Sequence, residues 1–374
     1  MDIEDTMKRI NKKFGDNAIM LLGQKFIVQV PALSTGILPL DVALGVGGLP
    51  RGRIIELYGP ESSGKTTICL NVIAEAQKNS EKCAIVDNEN AIDCEWARKL
   101  GVNTDDLMVS QPDSGEDSLS IAEMLIEDKV SVIVVDSVAA LVPRAELEGQ
   151  IGDAHVGLQA RLMSQALRKL TSKVRASGSI LIFTNQIREK IGIKWGDPTT
   201  TSGGRALKFY TSVRIQTARY ANINEKGTVE EEGETGSKNA IGSTIGIKIV
   251  KNKVAPPFKY TQAYLLFDKG FDKAYNVVEL ALTNKLIEKR GAWFDFEGQA
   301  YQGKNNLIEA IRDNKNLLDK LTLEVTKALL PKEEIEEETN LERFQRKLEK
   351  AKEDNDEERI KKYTRLVEKE INNV

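Results

Sequence analysis

Four strand-length apolar runs follow one another between residues 53 and 186, with helical patterns such as "ARLMSQALRKLTSKVRAS" among them. The four runs are "RIIELYG", "CAIVDNE", "VSVIVVDS" and "ILIFTNQ". Because they are continuously apolar rather than alternating, they predict a largely parallel sheet that helices cover on both faces. Three of the runs end in polar residues, at the strand ends where such sheets bind their ligands. The pattern therefore predicts an α/β fold with a ligand site at that edge.

A different pattern follows. The runs "TSVRIQTAR", "STIGIKIVKNK" and "QAYLLFD" lie too close together for helices between them, and they predict antiparallel strands. The polar, acidic stretch from Asn222 to Asn239 predicts a loop, and a small α/β unit follows from about Phe271. Helical spacing of apolar residues also predicts a short helix that ends near Gly15 and two charged amphipathic helices after Pro331.

Composition limits the classes of function. The 374 residues include 53 Lys and Arg against 56 Asp and Glu, a net charge of −3, so bulk charge neither favours nor excludes nucleic acid. Cys69, Cys83 and Cys94, with the single histidine His155, exclude a disulfide framework and a Cys/His zinc site. The sequence shows neither a signal peptide nor an apolar run of the ~20 residues that cross a bilayer. We therefore expect a cytoplasmic protein with no membrane partner.

The stretch "GPESSGKTT" stands between the first apolar run and a helical pattern, and it has the spacing of a phosphate-binding P-loop. Glycine allows successive backbone N–H groups to face one anion, and the helix that starts at Gly64 adds its positive end. Lys65 supplies a charge for the β- and γ-phosphates, and the Thr66 hydroxyl is suited to ligate Mg²⁺. The interpretation as an ordinary turn is weak, because strand, motif and helix occur in order. The predicted cofactors are ATP and Mg²⁺.

Three polar residues at the ends of other strands complete the predicted site. Asp136 is the expected second carboxylate near Mg²⁺. Glu89, on a strand expected to adjoin the P-loop strand, can polarise the attacking water, although a solvated loop residue fits the pattern equally well. Gln186 can hydrogen-bond a γ-phosphate or merely cap a loop. The residues alone leave the last two alternatives open.

Several long segments resemble the bacterial RecA recombinase family. They are "LSTGILPLDVALGVGGLPRGRIIELYGPESSGKTT", "DSVAALVPRAELEG", "IGDAHVGLQARLMSQALRKL", "NQIREKIG", "TTTSGGRALKFYTSVR" and "VKNKVAPPF". The resemblance covers roughly residues 1 to 330 in order. It implies an ATP-dependent filament on single-stranded DNA that pairs and exchanges strands with homologous double-stranded DNA, and that promotes self-cleavage of a LexA-type repressor. It also implies three parts: a helix and strand for subunit contact (1–33), the ATPase and DNA-binding core (34–272) and a small α/β domain (273–331). A charged helical tail (332–374) follows outside the resemblance, so we expect four parts in all.

The resemblance assigns roles to individual residues. It implies that Glu89 activates water, that Gln186 senses the γ-phosphate, and that Lys251 and Lys253 reach the ATP of the neighbouring subunit. Phe209 matches an aromatic residue that conveys the nucleotide state across the interface, although a core residue fits the pattern equally well. Taken alone, the two lysines fit solvated strand-end residues. The predicted nucleotide-binding set is Gly59, Pro60, Glu61, Ser62, Ser63, Gly64, Lys65, Thr66, Thr67, Asp93 and Trp96.

Two segments are predicted to bind DNA. The first is "EGQIGDAHVG" with the helix after it, where Arg161 and Arg168 are seven residues apart and therefore share a face with Ser164. Taken alone, such a basic face is more often solvated than functional. The second, "REKIGIKWGDPTTTSGGRA", combines cations for phosphates, glycines for close backbone approach and apolar groups that wedge between bases. Its candidate residues are Arg188, Lys190, Ile191, Trp195, Gly203, Gly204 and Arg205.

The chain departs from the family pattern at several positions. Trp96 replaces a usual tyrosine, which keeps a stacking face but loses a hydroxyl, and no histidine follows Glu89. Val156 and Lys194 stand where methionines are common, and Trp195 replaces a usual phenylalanine. The charged tail fits either a solvated helical hairpin, which we slightly favour, or a segment that screens the DNA groove or binds a partner.

Two other functions fit the same core. A hexameric helicase would form closed rings and unwind duplex DNA. Against it are the order of the "VKNK" and "TTTSGG" segments and the lack of an added primase-binding domain. A regulatory protein would use its ATP-bound filament only as a scaffold, and this role can coexist with recombination.

Overall fold

The computed structural model describes residues 3–15, 18–19, 30–150, 155, 157–189, 199–224, 229–231, 240–330 and 364. The chain forms two compact units, Met1–Leu330 and Pro331–Val374. The two predicted tail helices lie outside the described residues except at Thr364, and residues 151–154, 156 and 190–198 of the predicted DNA segments also lie outside them. Most of the predicted acidic loop does as well, but its described residues, 222–224 and 229–231, belong to two strands that pair with each other, so the prediction of a loop is wrong there.

The described elements alternate as the sequence pattern predicts. The helices are α1 (Ile3–Phe14), α2 (Leu38–Leu44), α3 (Lys65–Lys78), α4 (Cys94–Lys99), α5 (Gly115–Glu127), α6 (Arg144–Leu147), α7 (Leu158–Ser177), α8 (Ala206–Tyr210), α9 (Lys273–Thr283), α10 (Lys304–Asp313) and α11 (Lys315–Leu329). The strands are β1 (Ala32–Leu33), β2 (Leu49–Pro50), β3 (Arg53–Gly59), β4 (Cys83–Asp87), β5 (Leu107–Ser110), β6 (Val132–Asp136), β7 (Ile180–Glu189), β8 (Thr199–Thr201), β9 (Val213–Asn224), β10 (Val229–Glu231), β11 (Ala240–Asn252), β12 (Tyr260–Leu266), β13 (Gly270–Phe271), β14 (Glu288–Arg290), β15 (Trp293–Phe296) and β16 (Gln299–Gln302).

One large sheet organises the first unit, in the order β13-β12-β11-β9-β3-β7-β6-β4-β5. From β9 to β5 each strand runs parallel to the next, and from β9 through β11 and β12 to β13 each strand is antiparallel to the next. Strand β9 therefore joins the two halves. This arrangement confirms both the parallel sheet and the later antiparallel strands that the sequence predicts.

The expectation that the strand before Glu89 adjoins the P-loop strand is wrong. Strand β4 pairs with β5 and β6, and both β6 and β7 lie between it and β3. Strands that are successive in the chain are neighbours in a sheet only about two-thirds of the time. Here the two strands that enter later occupy the central positions. Glu89 therefore approaches the nucleotide site from further along the sheet edge.

Both faces of the parallel sheet are buried, as the continuously apolar strands predict. On one face, β3 residues Ile55 and Leu57 pack with apolar residues of α2 and α3. On the other face, Ile54 and Phe183 pack with apolar residues of α5 and α7. A separate cluster joins α9, α10 and α11 to the small antiparallel sheet β14-β15-β16, which confirms the small α/β unit. No helix within the described ranges is long and apolar enough to span a bilayer.

Candidate nucleotide site and nucleic-acid surface

The loop between β3 and α3 is shaped by glycine and by a buried serine. Gly59 cannot be replaced without displacement, because an added Cβ would lie 2.3 Å from the carbonyl oxygen of Thr217. Gly64 adopts a φ of 82°, a left-handed conformation that glycine favours. The Ser63 hydroxyl donates to the Pro60 carbonyl at 2.7 Å and also pairs with the Thr217 hydroxyl at 2.9 Å. The loop is thus fixed against β9 at the N-terminus of α3.

Lys65 folds back over this loop. Its Nζ donates to the carbonyls of Gly59 at 3.1 Å and Pro60 at 2.6 Å. Burial lowers the pKa of Lys65, and the carboxylates of Asp136, Glu89 and Glu61 oppose that shift. The ammonium group is therefore partly desolvated and faces a site that already contains negative charge.

Asp136 ends β6, where two hydroxyl groups hold its carboxylate. Thr66 Oγ1 donates to Oδ2 at 3.0 Å, and Thr184 Oγ1 donates to Oδ1 at 2.5 Å. Burial raises the pKa of Asp136, and the two hydroxyl groups oppose the shift. The Asp136–Ser137 peptide bond is cis. The sequence predicts Thr66 and Asp136 but misses Thr184, whose position two residues before Gln186 on a strand of this edge was the available signal.

These residues fit a nucleotide with Mg²⁺. The half-buried Lys65 and the buried Asp136 are each destabilised in the charged form, and a bound phosphate and a bound cation relieve these two penalties. A glycine loop at the N-terminus of a 14-residue helix supplies backbone donors for phosphate oxygens. Hydroxyl and carboxylate oxygens, as in Thr66 and Asp136, are the ligands that Mg²⁺ prefers.

Glu89 lies beyond β4, beside the ends of β6 and β7. The Ser137 hydroxyl donates to Glu89 Oε1, and Gln186 Nε2 donates to the same oxygen at 3.3 Å. Glu89 is exposed, yet these bonds hold it at the site, which disfavours the interpretation as a free loop residue. Ser137 was missed by sequence reasoning, although it directly follows Asp136.

A cavity of about 380 Å³ opens beside the phosphate loop. Trp96 lines one part of it and donates from Nε1 to the hydroxyl of Thr67 at 3.3 Å. Asp93 caps α4, because its Oδ1 accepts from the backbone N–H groups of Glu95 and Trp96 at 2.8 and 3.0 Å. The cavity is also lined by Ser62 and Gly64, which the sequence predicts, and by five residues that it does not predict: Arg219, Ser243, Leu265, Leu266 and Phe267.

Lys251 and Phe209 meet in a separate group of contacts at the end of α8. Lys251 Nζ donates to the carbonyls of Lys208 at 2.7 Å and Phe209 at 3.1 Å. Burial, with the nearby charges of Lys253 and Arg214, lowers the pKa of Lys251 to about 8. The Phe209 side chain is 70% exposed, so its interpretation as a core residue is wrong. Lys253 is exposed, and its backbone N–H donates to Ser212.

The two predicted DNA segments meet at the start of α7. Arg161 and Arg168 are exposed on that helix, with Ser164 between them, and Arg168 Nε bonds the Ser164 carbonyl at 3.2 Å. Gly204 has a φ of 75°, and an added Cβ would lie 2.9 Å from Ala160 Cβ. The backbone N–H of Gly203 donates to the Gln159 side chain at 3.2 Å. Arg188 and Arg205, at the two ends of the second segment, are exposed. The other candidates of that segment, Lys190, Ile191 and Trp195, lie outside the described residues.

Fold and site together define a P-loop nucleotide-binding core of the α/β class. Comparison with known proteins specifies it further: the RecA N-terminal domain family matches residues 1–272, and the RecA C-terminal domain family matches residues 275–330. "Protein RecA" of Ectopseudomonas oleovorans is 50% identical over 336 residues, which cover 89% of this chain and 93% of that protein. "Protein RecA" of Teredinibacter turnerae is 50% identical over 321 residues, 85% and 91% of the two chains.

The chain belongs to the RecA family. This membership supports the recombinase function that the sequence motifs predict. Filament formation and promotion of repressor self-cleavage are consistent with it. The roles of individual site residues and the division into four parts stay predictions.

Proposed function

We propose that this recombinase hydrolyses ATP with Mg²⁺ at the P-loop and uses the bound nucleotide to control its hold on DNA. One observation carries the proposal: the Glu89 carboxylate, the Gln186 amide and the Ser137 hydroxyl meet at the edge where β6 ends in Asp136. A base, a polar sensor and a metal-binding carboxylate at one strand edge are what phosphoryl transfer to water requires.

The roles divide by element. The backbone donors from Gly59 to Thr67 hold the phosphates, and Lys65 balances their charge, while Trp96 and Asp93 border the base. Thr66 and Asp136 would hold Mg²⁺, which supplies charge neutralisation at the β- and γ-phosphates. Glu89 accepts the proton of the attacking water. Gln186, already bonded to Glu89, exchanges that contact for the γ-phosphate.

We further propose that two surfaces act in the assembled protein. Arg161, Ser164 and Arg168 contact the DNA backbone together with the second segment, which contains Arg188, Lys190, Ile191, Trp195, Gly203, Gly204 and Arg205. Such contacts leave sequence to be read by base pairing. Lys251 and Lys253 reach the ATP of a neighbouring subunit, and Phe209 contacts that subunit, so that ATP at each junction stabilises a helical filament.

The partners follow from this assignment. They are single-stranded DNA, homologous double-stranded DNA, further copies of this chain and a LexA-type repressor. The proposed location is the cytoplasm, where DNA and ATP are both present.

A strand-exchange assay tests the proposal. Circular single-stranded DNA and homologous linear duplex are incubated with the protein, Mg²⁺ and ATP, and joint molecules and nicked circles are resolved on a gel. We expect exchange, together with ATP hydrolysis that single-stranded DNA stimulates. The Lys65→Ala variant, which lacks the phosphate-facing charge, serves as the inactive control. Unwinding by closed rings without exchange would contradict the proposal.

A further inference from the structure

A buried polar cluster joins β3 to its two neighbours in the sheet. Glu56 of β3, three residues before Gly59, is fully buried and lies opposite Arg214 of β9. Arg214 Nε donates to Glu56 Oε2 at 2.5 Å. Asn185 of β7, also fully buried, donates from Nδ2 to Glu56 Oε1 at 3.1 Å. Because an unsatisfied buried carboxylate is costly, these two donors fix Glu56 within the sheet.

Asn185 also contacts two segments outside this cluster. Its Nδ2 donates to the Ser202 carbonyl at 3.0 Å, and its Oδ1 accepts from the backbone N–H of Gln186 at 2.9 Å. Ser202 directly precedes Gly203–Gly204 of the second DNA segment. One side chain thus touches the strand that leads into the phosphate loop, the candidate γ-phosphate sensor and the candidate DNA segment.

Helix α7 also holds the segment around Ser202. Gln159 Oε1 accepts from the Gly203 N–H at 3.2 Å, while Gln159 Nε2 donates to the carbonyls of Val138 at 2.9 Å and Leu141 at 3.1 Å. A backbone held by the buried amide of Asn185 and the half-buried amide of Gln159 cannot shift without breaking a hydrogen bond. Asn185, unlike Gln159, directly precedes Gln186, the candidate γ-phosphate sensor.

We propose that Asn185 is a positioning residue that couples the nucleotide state at Gln186 to the position of residues 202–204. When Gln186 changes its partner, its backbone N–H shifts relative to Asn185 Oδ1. Glu56 holds the hydrogen bond that Asn185 Nδ2 donates to it, so the Asn185 amide turns about that bond. Its other bond, from Nδ2 to the Ser202 carbonyl, then shifts. The inference rests on the proposed function, since it requires ATP at the P-loop and DNA at the second segment.

The experiment measures coupling rather than activity alone. For the full chain and an Asn185→Ala variant, the affinity for a labelled single-stranded oligonucleotide is determined with a non-hydrolysable ATP analogue and with ADP. The ratio of the two affinities is the coupling. We expect the variant to lower this ratio at least about fivefold, because allosteric coupling factors typically span about 5- to 150-fold. The affinity for a fluorescent ATP analogue without DNA is expected to stay unchanged.

Asn276→Ala is the matched control. Asn276 is a buried asparagine of α9 whose Oδ1 accepts from Tyr264 N at 2.8 Å and whose Nδ2 donates to Tyr264 O at 3.4 Å. Asn276→Ala therefore loses two side-chain hydrogen bonds, against three for Asn185→Ala, at a position far along the chain from both segments. We expect it to lower the unfolding temperature as Asn185→Ala does while keeping the wild-type ratio.

A double variant separates the two hydrogen bonds that Asn185 Nδ2 donates, one to Glu56 and one to the Ser202 carbonyl. Asn185→Asp combined with Glu56→Gln restores an amide–carboxylate pair between β7 and β3 but leaves no donor at position 185 for the Ser202 carbonyl. We expect it to fold and still show the low ratio, which also covers the case in which Asn185→Ala fails to fold. A wild-type ratio of the two affinities in a folded Asn185→Ala variant, or in the double variant, would overturn this inference and leave the proposed function standing. Equal affinities with both nucleotides in the unmodified chain would overturn the proposed function and the inference with it.

Discussion

Burial disfavours the charged forms of two side chains at the nucleotide site. The pKa of Lys65 is lowered and that of Asp136 is raised, in both cases chiefly by desolvation. Motif spacing predicted Lys65 and Thr66, because P-loop chemistry ties residue types to fixed positions, and the end of an apolar strand, taken with the P-loop, predicted Asp136. Ser137 and Thr184 could not be predicted in this way, because only the folded chain shows which hydroxyl groups point toward a site.

Replacing Glu89 by glutamine tests the role of its carboxylate. The amide keeps the shape and a hydrogen bond with Ser137 but cannot accept a proton, so turnover should fall by about 10²- to 10⁴-fold. DNA binding with a non-hydrolysable analogue should persist. Steady-state ATP hydrolysis with single-stranded DNA is the measurement, and Glu309→Gln, an exposed change on α10, is the control. Undiminished turnover would remove Glu89 from the reaction.

Lys251 should make assembly depend on pH. Its pKa of about 8 in the free subunit rises when a neighbour's phosphates approach, so assembly takes up a proton. ATP-dependent assembly should therefore weaken as pH rises through about 8 toward the higher value in the filament. Light scattering at pH 7, 8 and 9 measures this. Lys251→Arg, which stays charged, should flatten the profile, and an unaltered slope would contradict the assignment.

At the scale of elements, the hydrophobic pattern predicted the type of each strand better than the order of the strands in the sheet. Continuous runs such as "VSVIVVD" indicated buried parallel strands, and the structure confirms them. The position of β4, two strands away from β3, could not be predicted, because helical crossovers of similar length can place a strand at several positions. The double pairing of β9, parallel to β3 and antiparallel to β11, also needed the fold.

The start of α4 gives a prediction of stability. Asp93 accepts two backbone hydrogen bonds there, so Asp93→Ala should lower the free energy of unfolding by about 0.5–2 kcal/mol. Asp93→Ser should recover most of that loss, since serine is also a favourable N-cap. Urea unfolding monitored by circular dichroism compares the three chains. Equal stability of the alanine and serine variants would show that the cap is not the source of the effect.

At the scale of the whole molecule, the family resemblance and the first compact unit end together. The RecA C-terminal domain match ends at residue 330, and the first unit ends at Leu330. The three apolar clusters described above all belong to that unit. The sequence predicted where the tail begins, because the composition changes sharply to Glu and Lys after Pro331.

A chain that ends at residue 330 should keep its thermal midpoint within about 2 °C, because its buried clusters are complete and a change of 1 kcal/mol shifts large domains by only a few degrees. Its ATP hydrolysis should still respond to single-stranded DNA. Calorimetry and a coupled ATPase assay measure the two properties. Tighter binding of DNA by the shortened chain would favour the tail as a screen of the DNA groove over a solvated hairpin.

The hydrogen bond from the Trp96 indole to Thr67 makes this tryptophan an intrinsic fluorescent reporter of the phosphate loop. An indole that lines the cavity beside the phosphate loop changes its emission when its surroundings change, so nucleotide arrival can be followed without any attached dye. The sequence has three tryptophans. Replacing Trp195 and Trp293 with phenylalanine would leave Trp96 as the source of all tryptophan fluorescence, and rapid mixing could then time each turnover without a dye.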